Sequence, residues 1–451
     1  VLSISDVWAR AGGGGGHSSG GGGYHGGGGG GGGGFGLGFI IGILISHPIL
    51  ALIVIILVVV FNFYGRNAAD GGNIQSGGGD YTPPSSPVAS FPEGLDAKKV
   101  QTSFIEIQDA WQKKDLKVVR KWISDGVYQR YTAQFEMMNK LNQVNRLSNI
   151  RVNGIAVAKT ARDGAYQTAD VAISFTMNDE FKSDKYPQFN ESFYDDSDVE
   201  YWTFIKRSDA KAGKNLYDNN NCPNCGAPFE TKMGEISRCS GCGTLTNNAA
   251  YDWVLSEITQ QDDYTGDDSM TQNEQLHQLV KNDKQFAVQR MEDIASNVFM
   301  QIMEVMTDDK VKKLSRFADK ATADKILEIK KQSGSFVFDR LYLNDVSLID
   351  FTTDSEKLNL VFSLIATYQR IQVSGTNLRL IDGDMTTHPF SIILSKNLKA
   401  LQTPAKETVY SYECASCGAP YNDTTDDTCT YCGEPVIDLN KNWVLTDFRM
   451  E

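Results

Sequence analysis

Residues 222–256 read CPNCGAPFETKMGEISRCSGCGTLTNNAAYDWVLS, and residues 414–446 read CASCGAPYNDTTDDTCTYCGEPVIDLNKNWVLT. Each stretch opens on Cys-x-x-Cys-Gly-Ala-Pro, holds a second Cys-x-x-Cys pair, and closes on Trp-Val-Leu: Trp253-Val254-Leu255 in one, Trp443-Val444-Leu445 in the other. The openings lie 192 residues apart and the tryptophans 190. A single internal duplication explains both matches in nearly one register, whereas chance requires two coincidences.

What precedes each stretch repeats too. Residues 96–146 place Phe104, Ile107 and Trp111, then Val118, Val119 and Trp122, then Tyr128, Tyr131 and Phe135 at helical spacing. Shorter β-rich runs follow at Ile150–Val157, Ala169–Met177, Tyr201–Lys206 and Trp253–Ile258. After an acidic linker at 259–273, Phe286 to Val305 and Val311 to Ile326 read as helices, and Phe338–Asp350, Leu358–Arg370 and Ser391–Lys396 as strands. Helices first and strands second predict an α+β class. The expected domains are 96–258, with a ribbon at 219–246, and 274–451, with a ribbon at 411–436.

All eight cysteines fall in these clusters: Cys222, Cys225, Cys239 and Cys242, then Cys414, Cys417, Cys429 and Cys432. Two-residue spacing turns both thiolates of a pair toward one ion, and two such turns complete a tetrahedron, so each cluster is read as a structural zinc site. Glycine follows every pair, at Gly226, Gly243, Gly418 and Gly433, where the chain needs positive φ. Disulfides and redox pairs are the weaker readings, because no spare resolving thiol is present. A closed four-thiolate shell leaves no position for water or substrate, so two structural zinc ions and no metal catalysis are expected.

The N-terminal end is of another kind. Ala9-Arg10-Ala11 has the small-x-small form of a signal-peptidase site, and residues 12–38 contain 20 glycines, a composition that cannot pack a core. Phe39–Phe61 is a 23-residue run without Asp, Glu, Lys or Arg. As a helix it would extend about 35 Å, enough to cross a bilayer, and residues 39–64 are read as a transmembrane helix kinked at His47-Pro48. Arg66 follows it directly and no Lys or Arg lies between residues 11 and 38, which favours a cytoplasmic C-terminal part. Residues 65–95 form a Gly/Ser/Pro linker.

The chain carries a net charge of −13, with almost all ionisable groups beyond residue 66, which argues against non-specific nucleic-acid binding. No phosphate loop, nucleophile elbow or zincin histidine pair is present. His277 and His388 read as surface residues, so no catalytic residue is assigned.

Phe91-Pro92, Phe104-Ile-Glu-Ile-Gln-Asp-Ala-Trp111-Gln-Lys-Lys-Asp115, Trp122-Ile-Ser-Asp-Gly-Val-Tyr128 and Asn145-Arg146-Leu147 resemble the C-terminal domain of the translocase of the inner membrane subunit forty-four. The layout is similar to that of bacterial single-pass relatives of that family. The resemblance implies a cone of helices on a curved antiparallel sheet, of the nuclear-transport-factor-two-like or cystatin-like kind, and membrane-peripheral docking. Doubling of the domain and the inserted ribbons depart from the family pattern.

The expected protein is thus a single-pass protein of the inner or plasma membrane with two tandem cones. It acts as a non-enzymatic scaffold that meets membrane lipid and a protein or peptide partner. Val171, Ile173 and Phe175, alternating with Ala172 and Ser174, are expected to wall an apolar pocket beneath a helix bearing Trp111 and Trp122, suited to an acyl chain or apolar peptide. An enzyme using such a pocket and a nucleic-acid-binding ribbon protein are the alternatives. The first lacks polar residues at the interior strand positions, and the second is opposed by a ribbon that contains no Lys or Arg between 413 and 434.

Overall fold

A computed structural model describes residues 89–211, 214–229, 237–375, 377–401, 414, 417 and 428–450. The glycine tract, the expected span at 39–64 and the linker as far as residue 88 lie outside the described residues. Among the described residues no helix is long and apolar enough to cross a membrane.

The first unit opens with α1 (Ala97–Lys113), whose N-terminus is capped by Asp96 accepting the Lys99 N–H, and which stops at Lys114, where φ is 50°. Val100, Phe104, Ile107 and Trp111 recur every three or four residues and form its buried stripe. Residues 115–122 make turns instead of the expected helical run, and α2 (Asp125–Lys140) starts at Ser124, whose hydroxyl accepts the Val127 N–H. Four antiparallel strands follow, β1 (Gln143–Asp163), β2 (Tyr166–Ser183), β3 (Glu191–Arg207) and β4 (Val254–Gln260), paired in chain order. The first ribbon interrupts the chain between β3 and β4.

The second unit repeats this plan after a short α3 (Glu274–Val280). Its helices are α4 (Val288–Thr307) and α5 (Lys320–Ser333). Its strands are β5 (Val337–Thr353), β6 (Lys357–Ser374), β7 (Asn377–Leu380) and β8 (Thr386–Asn397); α6 (Leu398–Leu401) and then β9 (Val444–Met450) follow. The sheet order is β5-β6-β8-β9, with β7 paired to β6. The helix expected over 311–326 is instead a 3-10 turn at Val311–Arg316 followed by α5, because Asp319 caps a new start by accepting the Thr322 N–H.

The duplication extends to details of register. Ile123 bridges Leu255 in parallel just before α2, and Ala318 bridges Leu445 in parallel just before α5. A register shift lies between Thr203 and Phe204 opposite β4, and another between Ile393 and Leu394 opposite β9. Lys206 stands 5.7 Å over the Trp253 ring, and Lys396 stands 5.7 Å over that of Trp443.

The units are fused along a seam where α2 packs on α4 and β5. Tyr342 of β5 belongs to the first unit's core, and Ala133, Met137, Leu141 and Tyr186 belong to the second's. Residues 259–273, expected as a linker, are packed: Tyr264 lies flat on Tyr201 at 3.9 Å and donates its hydroxyl to Asp170, and Lys159 donates to the Gly266 carbonyl.

Candidate metal centres

Among the described residues, three of the Cys-x-x-Cys pairs sit in tight hairpin turns. In the first ribbon the Gly226 N–H returns to the Cys222 carbonyl at 2.9 Å and the Gly243 N–H to that of Cys239 at 2.8 Å; in the second, Gly433 does the same to Cys429 at 2.8 Å. These glycines have φ of 77°, 72° and 75°, the left-handed conformation that a side chain disfavours. The turns aim the sulfurs inward. Sγ atoms lie 3.7 Å apart for Cys222 and Cys242, 3.8 Å for Cys225 and Cys239, 3.4 Å for Cys414 and Cys432, and 3.7 Å for Cys417 and Cys429.

Within each cluster all four sulfurs lie within 4.8 Å of one another. Four thiolates at about 2.3 Å from a central ion make a tetrahedron with edges of about 3.8 Å, so both sets fit one metal ion each. A disulfide requires about 2.05 Å, well short of these separations. N–H groups also point at sulfur: the backbone N–H of Asn224 donates to Cys222, and its side-chain amide donates to Cys242. The Thr244 N–H, then that amide, bring the Cys242 thiol down to about 6. The donor set is four soft thiolates in a closed shell, which is a structural ligation.

The first ribbon is keyed into its unit: Tyr217 stacks on Trp122 at 5.0 Å and donates its hydroxyl to the Trp253 carbonyl, and Ser237 donates to the Arg120 carbonyl. Asn247 donates to Asp125 at the start of α2. At the second centre Cys414, Cys429 and Val436 form a small cluster, and Tyr431 is 65% exposed.

The expected apolar pocket is a filled core. Trp111, Trp122, Val171, Ile173 and Phe175 are each at most 1% exposed. Phe175 packs ring to ring on Phe104 at 4.8 Å, and Trp111 on Phe135 at 5.3 Å, with its indole N–H donated to Asn145. The strand residues do present one apolar face, but helix side chains occupy the space opposite. His277 is held by the Thr271 carbonyl at 2.6 Å, and His388 stacks on Tyr368 beside Thr386.

Sequence reasoning missed the ionisable groups of the seam. Asp293 of α4 is buried and accepts from Ser124 and from the Gly126 N–H, and burial pushes its carboxyl up to about 7. Glu257 is likewise pushed up to about 7 by burial, against the pull of Arg130, which forms an ion pair with it. Nothing in the periodicity marks these positions. Their one local signal is Ser124-Asp125-Gly126, which reads as a helix start.

Residues 90–215 match the model of the Tim44-like domain, a stretch that takes in α1, α2 and β1 to β3 and ends before the first ribbon's cysteines. No curated protein matches the chain, and no solved structure does.

Proposed function

We propose that the chain is a single-pass membrane-anchored scaffold of the inner or plasma membrane, a bacterial-type relative of the translocase-subunit family whose two α+β units each carry a zinc ribbon. It docks a protein or peptide beside the lipid surface, with its C-terminal part in the cytoplasm, in protein translocation or membrane-protein assembly, and without chemistry of its own. The observation that carries this reading is the pair of closed four-thiolate shells on a duplicated helix-and-sheet body. Such shells fix chain geometry and offer no open coordination position. The run 39–61 supports the anchor, and the Tim44-like match at 90–215 supports docking.

Because the interior faces are filled, the partner meets the outer surface, foremost the second ribbon with its exposed Tyr431. That ribbon has no Lys or Arg between 413 and 434, which favours a basic protein segment over nucleic acid. The test is proximity labelling from the full chain in its native membrane, compared with Tyr431→Ala and Cys417→Ser variants. Loss of the same labelled partners in both variants, with membrane insertion unchanged, is expected. Identical labelling in all three proteins refutes docking through this ribbon.

A further inference from the structure

Where the two units meet, β1 to β4, the 263–271 segment, α4 and β5 border a half-open cavity of about 110 Å3. Eight carboxylates and one lysine line it. Some of these charges are already used: Lys159 pairs with Asp268, and Asp163 accepts the Val288 and Gln289 N–H groups at the start of α4. Four others accept from neutral donors. Asp170 takes Thr203 and Tyr264 hydroxyls, Asp263 the Asn344 amide, Glu292 the Leu348 N–H, and Asp345 the Ser347 hydroxyl.

A second observation points to a ligand. Glu257 is 7% exposed, and although its Oε1 meets Arg130 at 2.5 Å, its Oε2 has no hydrogen-bond donor. The Gln289 Nε2 on the same wall has no partner either. Gathering carboxylates in a partly dry space is costly unless positive charge joins them, and burial raises the carboxyls of Asp170, Asp263, Glu292 and Asp345 above their ordinary range. Among the described residues no three carboxylates bring oxygens within 4.8 Å of one another, so the walls do not surround a single metal ion. They suit an extended cation whose donors are spread along its length.

We propose that this seam cavity binds a linear polyamine, its ammonium groups shared among Asp170, Glu257, Glu292 and Asp345. Equilibrium dialysis of the full chain against radiolabelled spermidine at about pH 8, above the ordinary carboxylate range and below that of alkylammoniums, reads it directly. One saturable site per chain is expected. Glu292→Gln and Asp345→Asn keep the oxygen that accepts from Leu348 or Ser347, and each should weaken binding by about tenfold or more, while the exposed Asp195→Asn leaves it unchanged. Coincident unfolding curves for the variants keep the result a statement about binding. Absence of saturable binding, unchanged affinity in both seam variants, or displacement by magnesium as effective as by unlabelled spermidine each overturns the assignment.

Discussion

Asp293 accepts the backbone N–H of Gly126 at 3.0 Å, so a carboxylate of the second unit closes the first turn of α2 in the first unit. The exchange is mutual, since Asp163 of the first unit accepts the Val288 and Gln289 N–H groups of α4, whose own N-cap residue, Ala287, supplies no side-chain acceptor. Each unit thus completes a helix terminus of the other, where acidic groups also meet the positive end of the helix dipole. These exchanged caps join the two copies alongside the apolar packing of α2 on α4 and β5.

Gly126 permits the approach. A methyl group there would come within 2.6 Å of the Asp293 carbonyl oxygen, so Gly126→Ala should destabilise the folded chain by about 2–3 kcal/mol, read from denaturant midpoints at constant m. An unchanged midpoint would show that the seam does not close as described.

The seam also titrates. Asp293, raised to about 7 by burial, binds its proton more tightly folded than unfolded, so the folded state holds extra proton between about pH 4 and 7. The stability this contributes is complete below the unfolded value of about 4 and is lost as pH rises through about 7. Asp293→Asn, which keeps an acceptor for Ser124 and Gly126, should flatten this part of the stability profile. A slope unchanged in the variant would assign the titration elsewhere.

Loss of the first metal should be felt by the whole body. The first ribbon is tied to Trp122, Trp253 and Arg120, so Cys225→Ser should lower the midpoint of thermal unfolding of the body by about 5 °C or more. An unchanged midpoint would contradict that anchoring.

Phe175 is core, not pocket wall. Phe175→Ala should cost about 3–5 kcal/mol, and Phe175→Asp should fail to fold, where a pocket residue would lose only ligand capture. A folded, stable Phe175→Asp variant would restore the pocket reading.

These cases mark what could be read from the chain. Trp253 and Trp443 disclose the duplication because each closing strand keeps its neighbours, down to the lysine over the ring. The cysteine spacing was legible because a metal shell is built from local turns. Alternation at Val171, Ile173 and Phe175 identified a buried face but cannot tell a cavity from a packed interior, since that depends on side chains such as Phe104 arriving from another element. The seam was illegible for the same reason: Gly126 and Asp293 lie 167 residues apart, and no local pattern pairs them. The turn at Val311–Arg316 has the apolar spacing of a helix, and that spacing carries no sign of the new start capped by Asp319.

Elemental analysis of the reduced, purified full chain decides whether a duplicated body carries two independent four-thiolate metal centres. Two zinc ions per chain are predicted, one lost in Cys225→Ser, the other lost in Cys417→Ser, and both lost only when the substitutions are combined. A chain without zinc, or one whose single ion disappears with either substitution alone, would contradict it.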